Sequence, residues 1–131
     1  MADTLSLWIP VPPRSPNNPI PTTRGRMAHV KAERERAYVC AVAARNGPGG
    51  RTFPGPARIE VTLYLCRKRD PYTNLTSLKA TVDGICKALL PQGDGPETTY
   101  TWVPPIQVQV KHKAEQGIRI TITDLENSSG Q

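Results

Sequence analysis

The strands of this chain are marked by apolar residues at every second position. Over residues 57–66, Ile59, Val61, Leu63 and Leu65 alternate with charged, hydroxyl and tyrosine side chains. A period of two places one set of side chains on one face of a sheet, so this segment is predicted to be a strand with one face in the core. Shorter segments predict further strands at residues 5–9, 99–103, 106–110 and 118–123.

Two longer segments have the spacing of helices instead. Residues 28–45 contain neither Gly nor Pro, and the predicted apolar face consists of Val30, Ala37, Tyr38, Ala41 and Val42. Residues 74–90 form the second predicted helix, with Asn74 as its N-cap. Its apolar positions are Leu75, Leu78, Val82, Ile85 and Leu89. His29 is predicted to be a capping or surface residue.

The order β, α, β, α, β, β, β predicts an α+β fold, with a mixed sheet of about four strands and two main helices packed on it. A hairpin turn is predicted at residues 114–117, between the last two strands. A length of 131 residues predicts one domain, residues 1–131. Frequent Pro predicts a mobile loop at residues 10–26, and residues 124–131 are predicted to be a mobile tail.

The net charge of the chain indicates which class of partner it binds. Lys and Arg exceed Asp and Glu by 17 to 11, which gives a formal net charge of +6. A basic surface of this kind favours a polyanion, and nucleic acid is the commonest one. The three cysteines have no Cys-x-x-Cys spacing, so neither a disulfide framework nor a zinc site is predicted. No signal peptide or membrane span is recognised, so we expect a cytoplasmic protein with no membrane partner.

Charge chemistry is concentrated at the junction between the long strand and the second helix. Arg67, Lys68 and Arg69 can neutralise phosphates, and Asp70 follows them directly. A carboxylate at that place can hold a hard divalent cation. The alternative is that Asp70 only screens its basic neighbours on a solvated turn.

A second group of charges follows at steps of four residues on the second helix. Lys79, Asp83 and Lys87 share one helix face, and for Asp83 and Lys87 we prefer an ordinary ladder of i,i+4 charge pairs.

The order of these features resembles the RusA family of Holliday junction resolvases, in particular forms from phages and prophages. The resemblance covers residues 5–123. It consists of a basic strand end, Asp70, Asn74-Leu75, Lys79, Asp83-Gly84, then Gly-Asp-Gly-Pro-Glu at residues 93–97 and a closing β-hairpin.

The resemblance implies a homodimeric nuclease that uses magnesium, or manganese in its place, to cut branched or four-way DNA in recombination and repair. It implies that Asp70 and Asp94 are metal ligands, with Glu97 or Asp83 as possible replacements, and that Asp70, Asp94 and Lys79 are catalytic. Phosphodiester hydrolysis needs a metal to stabilise charge on the phosphate and to orient hydroxide. The residues predicted to bind DNA are Arg24, Arg26, Lys31, Arg67, Lys68, Arg69 and Asn74. If the protein is encoded by a phage, its compartment is the cytoplasm of the bacterial host.

Two positions depart from the family pattern. Thr73 and Gly93 stand where the family carries acids, which leaves fewer carboxylates for a metal. Two alternatives therefore stay open: a catalytically impaired protein that binds DNA junctions, and a basic protein-interaction module. Asp70 and Asp94 also flank a predicted helix that is about 25 Å long at ~1.5 Å per residue. Either the chain doubles back after that helix or a dimer unites the two acids.

Overall fold

Residues 4–14 and 20–125 are described in the computed structural model of the chain, with the side chains of Tyr72, Thr73 and Thr76 excepted. The α+β class is confirmed. The elements are β1 (Thr4–Ile9), α1 (Thr23–Asn46), β2 (Ala57–Leu65), α2 (Pro71–Ser77), α3 (Lys79–Leu89), β3 (Tyr100–Trp102), β4 (Ile106–Gln109), a short 3-10 turn (Lys113–Glu115) and β5 (Gly117–Asp124).

The sheet is mixed, as predicted, and has five strands where about four were predicted. β5 lies between β1 and β2 and runs antiparallel to both, while β3 and β4 pair in succession, parallel, with the other edge of β2. The predicted hairpin between the last two strands is wrong, because β4 and β5 lie on opposite sides of β2. β5 takes the inner place because Ile118, Ile120 and Ile122 are all buried, whereas β4 is a short strand with exposed residues.

The core lies between one face of the sheet and the helices α1 and α3. Alternate residues of β1, β2 and β5 point into it, and Leu63 and Ile122 have no exposed surface. The helices supply Ala37, Ala41 and Leu89 among others. Apart from the buried Gly117, the residues of these strands that point the other way are exposed or half-buried, so the far face of the sheet is largely open among the described residues.

Helix α1 begins earlier than predicted. Thr22 caps it, because its Oγ1 accepts a hydrogen bond of 3.0 Å from the backbone N–H of Gly25. Residues 23–26, predicted to belong to the mobile loop, are therefore helical. Val30, predicted to face the core, is 45% exposed. None of the helices in the described part of the chain combines the length and the apolar character needed to cross a membrane.

The predicted mobile segments are only partly within the described residues. Residues 15–19 and 126–131 lie outside them. Asp124, predicted to begin the mobile tail, is instead the buried last residue of β5, and its Oδ2 lies 2.8 Å from Nη2 of Arg51. The backbone N–H of Leu125 also donates to the carbonyl of Pro56, which extends the ordered end of the chain.

The single second helix that we predicted is two helices, α2 and α3, which meet at Leu78. The first of them starts at Pro71, because Pro suits the first turn of a helix, where no N–H partner is lost. The carbonyl of Asp70 accepts a bond of 3.1 Å from the N–H of Asn74, so Asp70 holds the capping position. Asn74 is therefore not the N-cap that we predicted; it lies within α2 and is 1% exposed.

Candidate nuclease site

The backbone of the basic segment after β2 is held by glutamine side chains. The N–H of Cys66 donates to Gln116 Oε1 at 3.0 Å, and the carbonyl of Cys66 accepts from Gln109 Nε2 at 3.2 Å. Gln107 bonds both backbone groups of Arg69, each at 2.7 Å. These side chains replace the strand partners that the segment lacks, so the approach to Asp70 has a defined conformation.

The three cations of this segment have different surroundings. Arg67 and Lys68 are exposed, as a phosphate contact requires. Arg69 is partly buried, and its Nη1 donates to the carbonyl of Pro13 at 2.6 Å. Burial lowers the pKa of Arg69, and the charge of Glu33 opposes that shift. Arg69 thus ties the N-terminal segment to the junction in addition to carrying charge.

Glu33 is the buried acid to which that N-terminal segment is fixed. Its Oε2 accepts a bond of 3.2 Å from the backbone N–H of Arg14, and its Oε1 lies 3.3 Å from Nε2 of His29. His29 was predicted to cap or to lie at the surface; it lies inside α1, half-buried, beside this acid. The group holds the proline-rich segment, α1 and the basic segment together.

The remaining DNA-binding predictions differ in exposure. Arg24, Arg26 and Lys31 lie on the first turns of α1 and are exposed. Arg26 donates to the carbonyl of Ile20 at 3.0 Å, so part of its binding capacity is used within the chain. Asn74 is buried and does not face solvent, which leaves it a structural place in α2.

Two carboxyl groups meet where the chain turns after α3. Asp83 is on α3, and Asp94 follows a turn in which Gly93 has a φ of 86°. Asp94 lies near enough to Asp83 to raise the pKa of that carboxyl group. The chain therefore doubles back, one of the two arrangements that we anticipated, but it brings Asp94 to Asp83. Asp83 interacts with the charge of Lys79, as the ladder of charges predicted, but it also lies beside Asp94, and Nζ of Lys87 lies 5.3 Å from the centroid of the Tyr38 ring.

The electrostatics of this pair follow from its surroundings. Burial is the largest cause that raises the pKa of Asp83, and the neighbouring Asp94 raises it further. Arg34 on α1 and Lys79 at the start of α3 act in the opposite direction. Cys86, one turn further along α3, is buried beside both acids, and its pKa is raised to about 12, so this thiol stays protonated.

An apolar cleft of about 560 Å³ opens beside the acids. Lys79 and Asp94 contribute its charged groups. The other lining residues come from β2, β3, the helices α2 and α3 with the residue between them, and the Val103–Pro105 link: Val61, Leu75, Leu78, Val82, Trp102, Val103, Pro104 and Pro105. The cleft exists because β3 ends at Trp102 and β4 begins at Ile106, with two prolines between them. Two of the three residues that we predicted to be catalytic thus border one cleft.

Asp70 does not belong to this group. It is exposed at the start of α2, it does not line the cleft, and it is not among the charges that shift the pKa of Asp83. Over residues 4–14 and 20–125, no three His, Cys, Asp or Glu side chains come together as a potential metal site. Thr73, at the position of a family acid, has its side chain outside the described part.

Several residues of this region were not singled out from the sequence. Gln107 has no sequence signal, since glutamine in a short edge strand is ordinary. Asp83, by contrast, was considered from the sequence as a possible replacement ligand, but its pairing with Asp94 depends on the turn at Gly93. Arg34 could not be assigned to the pair without knowing that α1 packs on α3.

The comparisons with known proteins add no relative: neither the family models nor the curated proteins give a match. The resemblance to the RusA family therefore depends on the order of residues in this chain alone.

Proposed function

We propose that the protein is a magnesium-dependent endonuclease of the RusA type that cuts branched DNA. The observation that carries the proposal is the proximity of Asp83 and Asp94 at a cleft that Lys79 and Asp94 line, with Lys79 and Arg34 near enough to lower the pKa of Asp83. In this proposal Asp83 takes the place of Asp70, so the metal ligands are Asp83 and Asp94.

The pair has the donor chemistry that magnesium uses. Two neighbouring carboxylates repel each other when both are ionised, and a divalent cation bound to both removes that repulsion. Magnesium is commonly held by one or two carboxylates together with water and substrate phosphate oxygens. Bound there, it would stabilise charge on the scissile phosphate and lower the pKa of an attacking water.

The neighbouring cations have separate roles in this proposal. Lys79 lies at the rim of the cleft that Asp94 borders, where its ammonium group can neutralise charge that develops on the phosphate. Arg34 lowers the charge repulsion within the acid pair. Arg67 and Lys68 are exposed and bind DNA phosphates away from the one that is cut, so they add affinity but take no part in the reaction.

The first experiment incubates the protein with a labelled synthetic four-way junction and, separately, with linear duplex of the same sequence. Each is run with magnesium and with EDTA. Nicks that need magnesium and occur only in the junction support the proposal. Symmetric nicking of two strands should accompany a dimer in sedimentation. A protein that never nicks, at any magnesium or manganese concentration, would refute it.

Variants then assign the ligands. Asp83→Asn and Asp94→Asn should each lower the nicking rate about 100-fold or more, because metal stabilisation of the phosphate is worth several kcal/mol. Asp70→Asn should lower it less than either. Glu60→Gln is the matched control, since Glu60 is an exposed acid on β2 paired with Arg58 at 3.3 Å. If Asp70→Asn abolishes nicking and Asp83→Asn does not, the proposed ligand set is wrong.

The role of Lys79 is separated from simple phosphate binding by comparing two measurements. Lys79→Met should reduce the nicking rate more than junction affinity, whereas an equal loss of both would make Lys79 a phosphate clamp. Lys87→Met, on the same helix, is the control for removing a lysine.

A second function is a junction-binding protein that does not cut. It is favoured by the gathering of only two carboxylates where the family pattern has more. Tight, salt-dependent junction binding without nicking supports this function, since phosphate binding releases counterions.

A further inference from the structure

Strand β4 has its apolar and polar residues on the faces opposite to those expected. Ile106 is 59% exposed and Val108 is 39% exposed, although a strand normally turns such residues to the core. Gln107 and Gln109 occupy the alternate positions because their side chains hold the backbone of Arg69 and Cys66. The apolar side chains of β4 are therefore left on the open face of the sheet.

The strand register places other large side chains beside them. Trp8, Arg119, Thr62 and Ile106 form one row across β1, β5, β2 and β4, and Gly117, Tyr64 and Val108 form the next. Residues paired in register project from the same face of a sheet. We call Trp8, Tyr64, Ile106, Val108 and Arg119 the aromatic face.

A glycine makes the aromatic pair of this face possible. Gly117 lies in β5 between Trp8 and Tyr64, and a side chain there would overlap the Trp8 ring and the carbonyl of Ile9. Without one, the rings of Trp8 and Tyr64 meet edge to face with centroids 5.4 Å apart. The Cζ of Arg119 lies 5.3 Å from the centroid of the Trp8 ring, so its guanidinium group covers part of that ring.

Exposed cations lie at the same end of the sheet. Arg67 and Lys68 leave the end of β2 at which Tyr64 lies. Lys111 and Lys113 follow β4 directly, and the short 3-10 turn there contacts β2. Glu115, the acid of that turn, accepts a bond of 3.0 Å from the backbone N–H of His112. Among the described residues, the rim of the aromatic face therefore carries four exposed cations and one exposed acid.

We propose that the aromatic face binds single-stranded nucleic acid, with unpaired bases stacked on Arg119 and Tyr64 and phosphates held by the surrounding cations. Proteins that bind single strands combine aromatic side chains, on which bases stack, with a positive path for the backbone. A guanidinium group that lies on a tryptophan ring offers its outer surface to a base. The charge of the rim selects this occupant over an uncharged or acidic protein surface.

The test measures the affinity of the protein for a labelled oligo-dT strand by fluorescence anisotropy, in low salt with EDTA. Arg119→Gln should weaken binding about tenfold, which is the scale of one lost stacking contact. Arg58→Gln removes the same charge from the same open face, but in the row that pairs with Thr123 rather than beside Trp8, and should weaken it about twofold or less. Equal losses in the two variants would reduce the effect to general electrostatics and overturn the proposal.

Tryptophan fluorescence gives a second readout. The chain has two tryptophans, so Trp102→Phe leaves only Trp8 on this face and Trp8→Phe leaves only Trp102 at the cleft. Binding of oligo-dT should quench the tryptophan fluorescence of Trp102→Phe and leave that of Trp8→Phe unchanged. The opposite pattern would overturn the proposal. A change in the oligomeric state of the protein caused by Val108→Asp would also overturn the proposal, because it would make the face an interface between copies of the chain.

This binding is independent of the acid pair. Asp83→Asn should keep full affinity for the strand even where it abolishes nicking. An active nuclease with no affinity for single strands would overturn this inference alone. A protein that binds single strands through Arg119 but never nicks would leave it standing.

Discussion

The contact between α1 and α3 depends on the missing side chain of Gly84. A methyl group at this position would lie 2.9 Å from Cβ of Ala37 and 3.0 Å from the backbone N of Tyr38, and it would overlap the carbonyl oxygen of Arg34. Gly84→Ala gains about 1 kcal/mol of helix propensity. Because backbone atoms of α1 cannot move aside singly, we expect an overpacking cost of about 3 kcal/mol. The net expectation is a loss of about 2 kcal/mol in the free energy of unfolding.

Thermal and urea unfolding followed by circular dichroism measure this loss. At about 4 °C per kcal/mol for a chain of this size, the midpoint should fall by about 8 °C. Ala32→Gly is the control, since Ala32 is exposed on α1 and its replacement should cost only the propensity difference of about 1 kcal/mol. A stabilised Gly84→Ala protein would refute the reasoning, because it would mean that the two helices do not approach closely at this point.

Three further outcomes are expected. Gly93→Asp should raise magnesium-dependent nicking above that of Gly93→Asn, because a φ of 86° strains both variants by about 1 kcal/mol and only Asp adds a carboxylate beside Asp94; equal activities would contradict this. Gln107→Ala should lower the free energy of unfolding by about 2 kcal/mol in urea titrations, since two hydrogen bonds to the backbone of Arg69 are lost, and an unchanged midpoint would show that the segment needs no clamp. Because the pKa of Asp83 is raised, the folded state keeps this proton to higher pH than the unfolded chain, so the free energy of unfolding should fall as pH rises from about 3.8, the ordinary pKa. In thermal melts across this pH range, Asp83→Asn should lack that part of the pH dependence. The same pH dependence in both proteins would count against the acid pair.

The fold class was predictable because local patterns carry it. The alternation of β2 and the spacing of apolar residues in α3 required no knowledge of distant residues, and both elements are present. The break at Leu78 was missed, because an apolar residue at a helical spacing gives no sign of a boundary. The capping role of Asp70 was missed for a related reason, since Asn74 is an equally good capping residue by type.

The candidate site was predictable in its residue types and only partly in its arrangement. Lys79 and Asp94 were both singled out, and both border one cleft. The pairing of Asp94 with Asp83 instead of Asp70 depends on a turn whose direction is set by a positive φ at Gly93. Gly93 thus has a backbone conformation that favours glycine, and an acid at this position would be strained.

By itself the sequence determined the alternation of strands and helices, the basic net charge and the cluster of cations before Asp70. These properties depend on composition or on residues that are adjacent in the chain. Only the tertiary structure decided that β5 inserts between β1 and β2, and that Trp8 meets Tyr64 across Gly117. It also decided that Asp83 faces Asp94. These contacts join residues far apart in the chain, and their geometry follows from how the layers pack rather than from any local preference.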